Sequence, residues 1–248
     1  MKLYNDVAPY YDLVLLGRPG ELEFYRKLAK GKKKILEIAC GTGRILLPIM
    51  KDGVDISGID LSPKMLQILR KKAKAEGLAP KVHLADMRNF RLKEKFDLII
   101  IPYNGFLHAE TSEDQIATLK CIRRHLREGG TLGLNIFFPW PEYMVKHNNK
   151  ILKSRKPAFT DKSGKKVWIY DKTEYDYINQ LIRTQWYFLE GKKLNEKARF
   201  GIHMSFIYKK EFELLLRLAG FSKWKVHGGF KGEKLNNPKQ QMVWVIHK

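Results

Sequence analysis

The sequence predicts an α/β fold in which a doubly wound, mainly parallel seven-stranded sheet carries an inserted antiparallel β layer after its fifth strand. Three observations support this prediction. Apolar runs of strand length alternate with amphipathic segments of helix length, which is typical of a parallel sheet with crossover helices. A glycine-rich turn separates the first strand from the first helix of the sheet. Within residues 139–207, the alternation changes to the period of two that half-buried antiparallel strands show.

The first half of the chain supplies most strands of the predicted parallel sheet. Residues 34–39 and 54–60 are apolar and β-prone, so each is predicted to form a buried strand. A helix is predicted from Pro63, after the capping residue Ser62, to a stop at Gly77. The other predictions before residue 139 are an N-terminal helical cover at 1–30, a helix that starts near Thr42, strands at 81–84 and from Phe96, a helix at 112–127, and a fifth strand at 131–138.

The pattern changes after the fifth strand, and residues 139–207 are predicted to be an insertion. Pro139 and Pro141 interrupt the strand, and residues 142–165 are polar and basic without a clear period, so we expect an irregular flap there. The predicted elements that follow are antiparallel strands at 166–178, 181–190 and 194–207, a helix at 209–219, and strands near 222–229 and 240–247. The whole chain, residues 1–248, is therefore predicted to form a single domain.

Composition sets the broad class of protein. With 248 residues and 44% hydrophobic content, the chain can bury a full core. Its longest apolar stretch, Leu98 to Pro102, is far shorter than the roughly 20 residues that cross a membrane, and no secretory signal follows Met1. We therefore expect a soluble, cytoplasmic protein with no membrane partner. Cys40 and Cys121 form no C-x-x-C pair and no metal-binding pattern, so neither a disulfide framework nor a bound metal is predicted.

The stretch from Lys34 to Asp60 has the features of a site for a nucleoside-containing cofactor. Gly41 and Gly43 allow the backbone to turn sharply and to approach a ligand closely. Asp60 falls 17 residues after Gly43, at the tip of the second predicted strand, where its carboxylate can accept hydrogen bonds from both ribose hydroxyls. Leu46 replaces the third glycine of a dinucleotide-binding turn, which argues against NAD.

These residues resemble the first motif of the class I S-adenosylmethionine-dependent methyltransferases, commonly written E/D-x-G-x-G-x-G. Glu37, Ala39, Gly41 and Gly43 match the motif, with alanine in place of its first glycine. Three further stretches resemble later motifs of the family in the expected order, namely residues 60–65, 84–87 and 96–104. The resemblance implies a Rossmann-like fold and S-adenosyl-L-methionine as the cofactor.

The resemblance also assigns residues to parts of the cofactor. It places Asp60 on the ribose, Leu61 and Met65 beside the adenine, and Asp86 on the adenine amino group. Tyr11 belongs to an N-terminal Tyr-x3-Ala-x2-Tyr-Asp pattern, and its ring can attract the positive sulfonium. The full set of predicted cofactor contacts is Tyr11, Glu37, Ala39, Gly41, Gly43, Asp60, Leu61, Met65, Asp86, Met87 and Tyr103.

Structural roles stay open for several of these residues. Ser62, followed by a proline, is sufficient to cap the next helix, which leaves Asp60 free for a ligand. Asp86 can instead pair with Arg88 in a polar turn, and Tyr10 can simply pack the N-terminal helix onto the sheet.

The implied chemistry is an in-line displacement, in which an acceptor attacks the methyl carbon of the cofactor. Positioning supplies most of the catalysis, and a general base is needed only for an acceptor that arrives protonated or as a hydroxyl. Asn104, His108, Trp140 and His203 are the candidates for acceptor contact. His108 is the base to test, although a lone histidine before a helix also serves structural roles. No catalytic residue is assigned from the sequence.

The identity of the acceptor depends on how the positive charge is interpreted. Lysine and arginine exceed the acidic residues by 21, and residues 146–166 hold a dense part of that excess. We favour a small-molecule acceptor, with an anionic one attracted by this basic flap. One alternative is an RNA methyltransferase whose flap tracks phosphates while Trp168 and Tyr170 stack on bases. The other alternative is a protein that binds the cofactor without turnover.

Overall fold

The computed structural model describes residues 3–161, 163–190 and 195–248, which form two β-sheets with helices packed around them. Residues 1 and 2 of the predicted helical cover, Lys162 of the basic flap, and residue 194, the predicted start of the third inserted strand, lie outside the described residues. None of the helices in the described ranges is both long and apolar enough to cross a membrane.

Helices and strands mostly alternate between residues 35 and 137, although no helix separates the strands at 82–84 and 96–101. The helices are α1 (Leu3–Val14), α2 (Glu21–Ala29), α3 (Leu46–Lys51), α4 (Pro63–Ala75), α5 (Ser112–His125), α6 (Pro141–His147) and α7 (Lys209–Leu218), and a short 3-10 helix covers Gly105–His108. The strands are β1 (Ile35–Ile38), β2 (Ile56–Asp60), β3 (Val82–Leu84), β4 (Phe96–Ile101), β5 (Leu126–Phe137), β6 (Ile151–Lys153), β7 (Phe159–Thr160), β8 (Lys166–Asp176), β9 (Leu181–Glu190), β10 (Asn195–Ser205), β11 (Lys223–His227) and β12 (Gln241–His247).

The strand order confirms the predicted fold class. The larger sheet has seven strands in the order β11-β12-β5-β4-β1-β2-β3. Neighbours among β1 to β5 run parallel, whereas β12 runs antiparallel to both β5 and β11. The smaller sheet has the order β10-β9-β8-β6, with β7 also paired to β8, and all of its pairs are antiparallel. A Rossmann-like α/β sheet therefore carries an antiparallel layer inserted after its fifth strand.

Helix α4 shows how the local sequence sets element boundaries. Ser62 Oγ accepts a hydrogen bond from the Met65 backbone N–H at 3.2 Å, and Pro63 occupies the first helical position. Gly77 follows the end of the helix with φ 70°, a conformation that favours glycine. The predicted start of this helix is confirmed, and its end is placed within two residues of the glycine.

The predicted start of the first helix after the glycine turn was wrong. The helix was expected near Thr42, but α3 begins at Leu46. A tight turn comes first, in which the Gly43 backbone N–H donates to the Cys40 carbonyl at 2.9 Å. Gly41 and Gly43 have φ angles of 53° and 83°, which are incompatible with a right-handed helix.

The predicted boundary between the fifth helix and the fifth strand was also wrong. The helix was expected to reach residue 127 before a glycine stop, but α5 ends at His125 and β5 begins at Leu126. Gly129 lies inside β5 with φ 73°, where the pairing of β5 with β4 is irregular. The glycines therefore allow a bulge in a strand instead of ending a helix.

The stretch predicted to be an irregular flap contains regular elements. Helix α6 begins at Pro141, a favoured residue for the first helical position, and buries Met144. Strands β6 and β7 pair with β8. They are only three and two residues long, which is too short for a period of two to be visible in the sequence.

The apolar core lies on both faces of the larger sheet. One face packs against α5 and α7, and the other face packs against α2, α3 and α4. Because helices cover both faces, the carboxyl ends of the parallel strands are the open edge at which such a sheet binds ligands.

Helix α1 lies between the inserted sheet and the glycine turn. The Tyr10 ring packs against Phe159, Phe188 and Phe200 of the inserted sheet, with ring centroids 5.1 to 6.2 Å apart. On the other side, Asp12 accepts hydrogen bonds from Thr42 Oγ1 at 2.5 Å and from Lys72 Nζ at 3.0 Å. Tyr10 thus has the packing role that the sequence left open, and α1 is held from both sides.

The glycine turn gives a test of local packing. Gly43 and Gly53 share a φ of 83°, but a Cβ on Gly43 would lie 2.9 Å from Leu47 and 3.0 Å from Leu69, whereas a Cβ on Gly53 would meet nothing within 4 Å. We expect Gly53→Ala to lower the free energy of unfolding by about 1–2 kcal/mol through its φ angle alone. Gly43→Ala should lower it by about 1–3 kcal/mol more, because the leucines must move. Urea denaturation measures both, and equal losses would show that the two leucines yield freely.

Candidate cofactor and acceptor site

A cavity of about 1110 Å³, counting its open mouth, lies at the carboxyl ends of the parallel strands. Its walls come from the residues that directly follow β1, β2, β3 and β4, together with the inward side of α1. The cavity therefore lies where an open α/β sheet binds its ligands. The lining residues are Tyr4, Tyr11, Glu37 to Thr42, Arg44, Ile45, Ile59 to Leu61, Met65, Ala85 to Arg88, Pro102, Tyr103, Gly105, His108 and Glu110.

Asp60 organises the floor of the cavity. Its Oδ2 accepts a hydrogen bond from the Gly41 backbone N–H at 2.8 Å, and its Oδ1 accepts one from the Ser62 backbone N–H at 2.8 Å. Burial raises the pKa of Asp60, and these backbone N–H groups oppose that shift by stabilising the charged form. Each oxygen keeps a second lone pair that can accept from a ligand.

A cluster of charges forms one end of the cavity. Arg44 Nη1 donates to Glu21 Oε2 at 2.8 Å, and Glu21 is fully buried. Glu37 is 3% exposed, and neither its Oε2 nor the Oε1 of Glu21 has a hydrogen-bond partner in the described part of the chain. Burial raises the pKa of Glu37 well above its usual value; Arg44 opposes this shift and Glu21 adds to it. Among the described residues Arg44 pairs with Glu21 alone, so Glu37 keeps a proton in the empty site, which a cationic ligand group would displace.

Gly17 makes room for this cluster. It has φ 85°, and a Cβ at this position would collide with the guanidinium of Arg44. The guanidinium lies 5.0 Å from the ring centroid of Tyr103, on the other side of the cavity. Arg44 is therefore held between an ion pair and an aromatic ring.

The loop after β4 presents Tyr103 in a strained conformation. Tyr103 and Asn104 have φ angles of 51° and 64°, which side-chain-bearing residues rarely adopt. Asn135 Oδ1 accepts from the Tyr103 backbone N–H at 2.9 Å, and Asn104 Oδ1 accepts from the Phe137 backbone N–H at 2.9 Å. These bonds to β5 hold the loop in the shape that directs Tyr103 into the cavity.

The backbone conformation of Ala39 explains why the motif commonly has a glycine at this position. Ala39 has φ 55°, in the left-handed region that glycine adopts without strain. Ala39 lines the cavity, and its Cβ lies 3.2 Å from the place that a Cβ on Gly105 would take. The alanine therefore retains the turn at a modest cost in conformational energy.

His108 is held as a neutral ring. Its Nδ1 lies 2.9 Å from the His203 carbonyl oxygen, which can only accept, so Nδ1 carries the hydrogen. Its Nε2 therefore accepts from the Tyr4 hydroxyl, which lies 2.9 Å away. Burial lowers the pKa of His108 to about 4, against the opposing effect of the bond to His203. At neutral pH the ring has one acceptor, and this acceptor lies on the cavity side.

The predicted cofactor residues come together with one exception. Ten of the eleven line the cavity, and Gly43 does not, because it faces Leu47 and Leu69 behind the turn. The ten are Tyr11, Glu37, Ala39, Gly41, Asp60, Leu61, Met65, Asp86, Met87 and Tyr103.

Only one of the predicted acceptor residues lines the cavity, and it is His108. Asn104 is engaged with the β5 backbone. The Trp140 ring stacks on Tyr143, with Lys239 5.1 Å from its centroid. His203 contributes its carbonyl oxygen to His108, while the residue borders a second cavity on the inserted sheet.

Five polar residues that line the cavity were not assigned from the sequence, namely Tyr4, Thr42, Arg44, Arg88 and Glu110. Arg44 directly follows the last motif glycine, so its position along the chain was a usable signal. Tyr4 belongs to the same N-terminal pattern as Tyr11, but the sequence could not tell which tyrosine faces inward.

Comparison with known proteins agrees with the fold and the cavity. Residues 35–130 match the family described as "Methyltransferase domain". A dTDP-3-amino-3,4,6-trideoxy-alpha-D-glucopyranose N,N-dimethyltransferase of Streptomyces venezuelae is 31% identical over 54% of this chain and 57% of its own length. A demethylmenaquinone methyltransferase of Thermus thermophilus is 33% identical over 56% of this chain and 66% of its own length. The chain thus spans less than two thirds of either relative.

A solved structure shows the same fold over almost the full length. It is an S-adenosylmethionine-dependent methyltransferase from Clostridium acetobutylicum, with a TM-score of 0.78, 19% identity and coverage of 98% of each chain. Fold, motif order and family match together define a methyltransferase domain. Residues 35–130 match a methyltransferase domain, and the chain is similar in sequence and in fold to S-adenosylmethionine-dependent methyltransferases.

The buried acidic cluster predicts a pH-dependent loss of stability in the absence of cofactor. The raised pKa of Glu37 means that the folded protein keeps a proton which the unfolded chain releases above about pH 4.3. The free energy of unfolding therefore falls as the pH rises above that value. We expect Glu37→Gln to remove this loss and to stabilise the cofactor-free protein by about 1–3 kcal/mol at about pH 8, with little effect near about pH 4.

Urea denaturation at several pH values measures this effect, and Glu23→Gln is the matched control. Glu23 is an exposed glutamate on the neighbouring helix α2, so its replacement should change the stability little at any pH. A stabilisation by Glu37→Gln that does not grow with pH would contradict the expected protonation.

Proposed function

We propose that the protein transfers a methyl group from S-adenosyl-L-methionine to a small-molecule acceptor. The observation that carries this proposal is a single cavity with an acidic end, a carboxylate on its floor, and apolar residues beside that carboxylate. When bound, the cofactor supplies an electrophilic methyl group on its positively charged sulfur. A lone pair of the acceptor would form the new bond to the methyl carbon, and the electrons of the broken carbon–sulfur bond would stay on sulfur. The protein contributes binding, alignment and the exclusion of water.

The nucleoside part of the cofactor fits the floor of the cavity. Gly41 presents bare backbone, with no protein atom within 4 Å of the place that a Cβ would take, so a ligand can approach it closely. The free lone pairs of Asp60 would accept hydrogen bonds from the ribose hydroxyls. The apolar side chains of Leu61, Met65 and Met87 would flank the adenine.

The amino-acid part of the cofactor fits the charged end. The unpartnered Oε2 of Glu37 would receive the cofactor's ammonium group, because a buried carboxylate is stabilised by a cation. Arg44 would bind the carboxylate of the cofactor while it keeps its ion pair with Glu21. Recognition of both groups would hold the sulfonium at a fixed depth in the cavity.

Aromatic rings would surround the sulfonium and the acceptor. Tyr4 and Tyr11 pack edge to face with ring centroids 6.1 Å apart, and a ring near a cation contributes about 0.5–2 kcal/mol depending on desolvation. His108 Nε2 would accept a hydrogen bond from the attacking amine or hydroxyl after Tyr4 withdraws. Its low pKa means that it would orient the acceptor through this hydrogen bond without taking up the proton.

The remaining acceptor candidates are proposed to act at a distance. Asn104 would act through the loop that it fixes, and Trp140 and His203 would lie along the approach of the acceptor. The relative from Streptomyces venezuelae acts, by its name, on an amino sugar linked to dTDP. An amine acceptor with a negative charge elsewhere is therefore our preferred class, and the exposed lysines of the basic flap would attract it.

The basic flap gives less support to RNA as the acceptor. Its described lysines and its arginine are exposed, and none of the residues described between 146 and 166 lines the cavity. Lys153 lies over the Tyr170 ring at 5.2 Å, which already occupies one of the aromatic faces that a base would need. Steering of a small anion requires only charge near the mouth and no such contact.

The ribose assignment can be tested by replacing Asp60. We expect Asp60→Ala to weaken the binding of S-adenosyl-L-methionine by about 1–3 kcal/mol, because charge-assisted hydrogen bonds to the ribose are lost. Isothermal titration calorimetry measures the affinity, and Asp52→Ala, which removes an exposed aspartate paired with Arg26, is the control. Unchanged affinity in the Asp60 variant would remove this residue from the site.

The proposed function itself can be tested by following a labelled methyl group from S-adenosyl-L-methionine into a cell extract. We expect label among the small solutes, from which the acceptor can then be identified. Label in the RNA fraction would overturn the choice of acceptor. Intact cofactor binding with no label in any fraction, including protein, would favour a binding protein without turnover.

A further inference from the structure

Arg88 forms several hydrogen bonds with the side chain of Asp86 on the wall of the cavity. Its Nε lies 2.9 Å from Asp86 Oδ1 and 3.0 Å from Oδ2, and its Nη2 donates to Oδ2 at 2.5 Å. Its own backbone N–H donates to Oδ1 at 2.9 Å. Both oxygens of one carboxylate are thus held by one neighbouring residue, and both residues line the cavity.

A second carboxylate holds Arg88 in place. Its Nη1 donates to Asp114 Oδ2 at 2.9 Å, and Asp114 lies in the first turn of α5. The loop after β3, which carries Asp86, is therefore tied to a helix of the sheet layer through a chain of three charged side chains. The planar guanidinium fixes the plane of the Asp86 carboxylate, which a lysine could not do.

The same contacts keep Asp86 ionised. The hydrogen bond from Arg88 is the main cause that lowers the pKa of Asp86, and desolvation opposes it only in part. An ionised carboxylate accepts hydrogen bonds and cannot donate them. The three N–H groups of Arg88 occupy about three of its roughly four acceptor sites, which leaves about one for a ligand. A group held in this way can distinguish a ligand that presents an N–H donor from one that presents a carbonyl oxygen.

We propose that Arg88 is a positioning residue that makes Asp86 selective for the exocyclic amine of adenine, an inference that rests on the proposed function. Adenine presents an N–H donor at its six position, where hypoxanthine presents an oxygen. The fixed, ionised carboxylate accepts from the amine and repels the oxygen. Selectivity for an adenosyl over an inosyl cofactor therefore depends on Arg88, although the base contact itself belongs to Asp86.

The test compares the affinities of S-adenosylhomocysteine and S-inosylhomocysteine by calorimetry. We expect the wild-type protein to prefer the adenosyl ligand by about tenfold or more, the value of one charge-assisted hydrogen bond. Arg88→Ala should lose most of this preference by weakening the adenosyl ligand, with the inosyl affinity near its wild-type value. Arg88→Lys keeps the charge without the planar fork and should restore the preference only in part.

Two further variants separate positioning from a general structural effect. Asp114→Asn should reduce the preference without abolishing it, because Arg88 loses its second anchor. Arg91→Ala, which removes an exposed arginine of the same loop, should leave the preference unchanged. Equal weakening of both ligands in Arg88→Ala would show a merely structural role and overturn the inference.

Failure of this inference is distinguishable from failure of the proposed function. A wild-type protein that binds neither ligand would contradict the proposed cofactor site. A wild-type protein that binds both ligands equally, or an Arg88→Ala variant that keeps the full preference, would overturn the role of Arg88 while leaving the cofactor site in place.

Discussion

The structure of the site depends on the two backbone hydrogen bonds that Asp60 accepts. One comes from Gly41 in the turn after β1, and the other comes from Ser62 at the start of α4. Because the two N–H groups belong to different segments, the carboxylate fixes the distance between the glycine turn and the next helix. Burial makes this carboxylate costly, and the backbone donors offset part of that cost. Loss of Asp60 would therefore disturb the floor of the cavity as well as a ligand contact.

Helix α1, which covers the cavity, is positioned by the same elements. Asn5 of α1 accepts a hydrogen bond from the Ser62 side chain at 2.8 Å, and Asp12 bonds to Thr42 in the turn. The glycine turn and α4 therefore set the position of helix α1, while the Tyr10 ring packs this helix against the inserted sheet. The contacts of α1 on both sides therefore also fix Tyr4 and Tyr11, which lie on the cavity side of this helix.

The fold class and the motif residues that line the cavity could be predicted from the sequence, because both depend on local signals. Strand periodicity, the Ser62 cap and the order of four motifs are properties of short segments, and the structure has each of them in place. Signals that depend on distant partners were not readable. The role of Gly43 depends on Leu69 in another helix, and the tautomer of His108 depends on a carbonyl 95 residues away. Where a side chain acts through long-range packing, sequence spacing alone could not predict its direction.

The charged end of the cavity shows why a cofactor site is less stable than the core around it. Glu21 and Glu37 each leave one buried oxygen without a hydrogen-bond partner in the described structure. Such an arrangement lowers the stability of the empty protein, and a cationic ligand group relieves it on binding. Under the proposed function, the stabilisation released in this way would appear as affinity for the cofactor. Selection for cofactor binding would therefore retain both carboxylates, even though selection for stability alone would remove at least one of them.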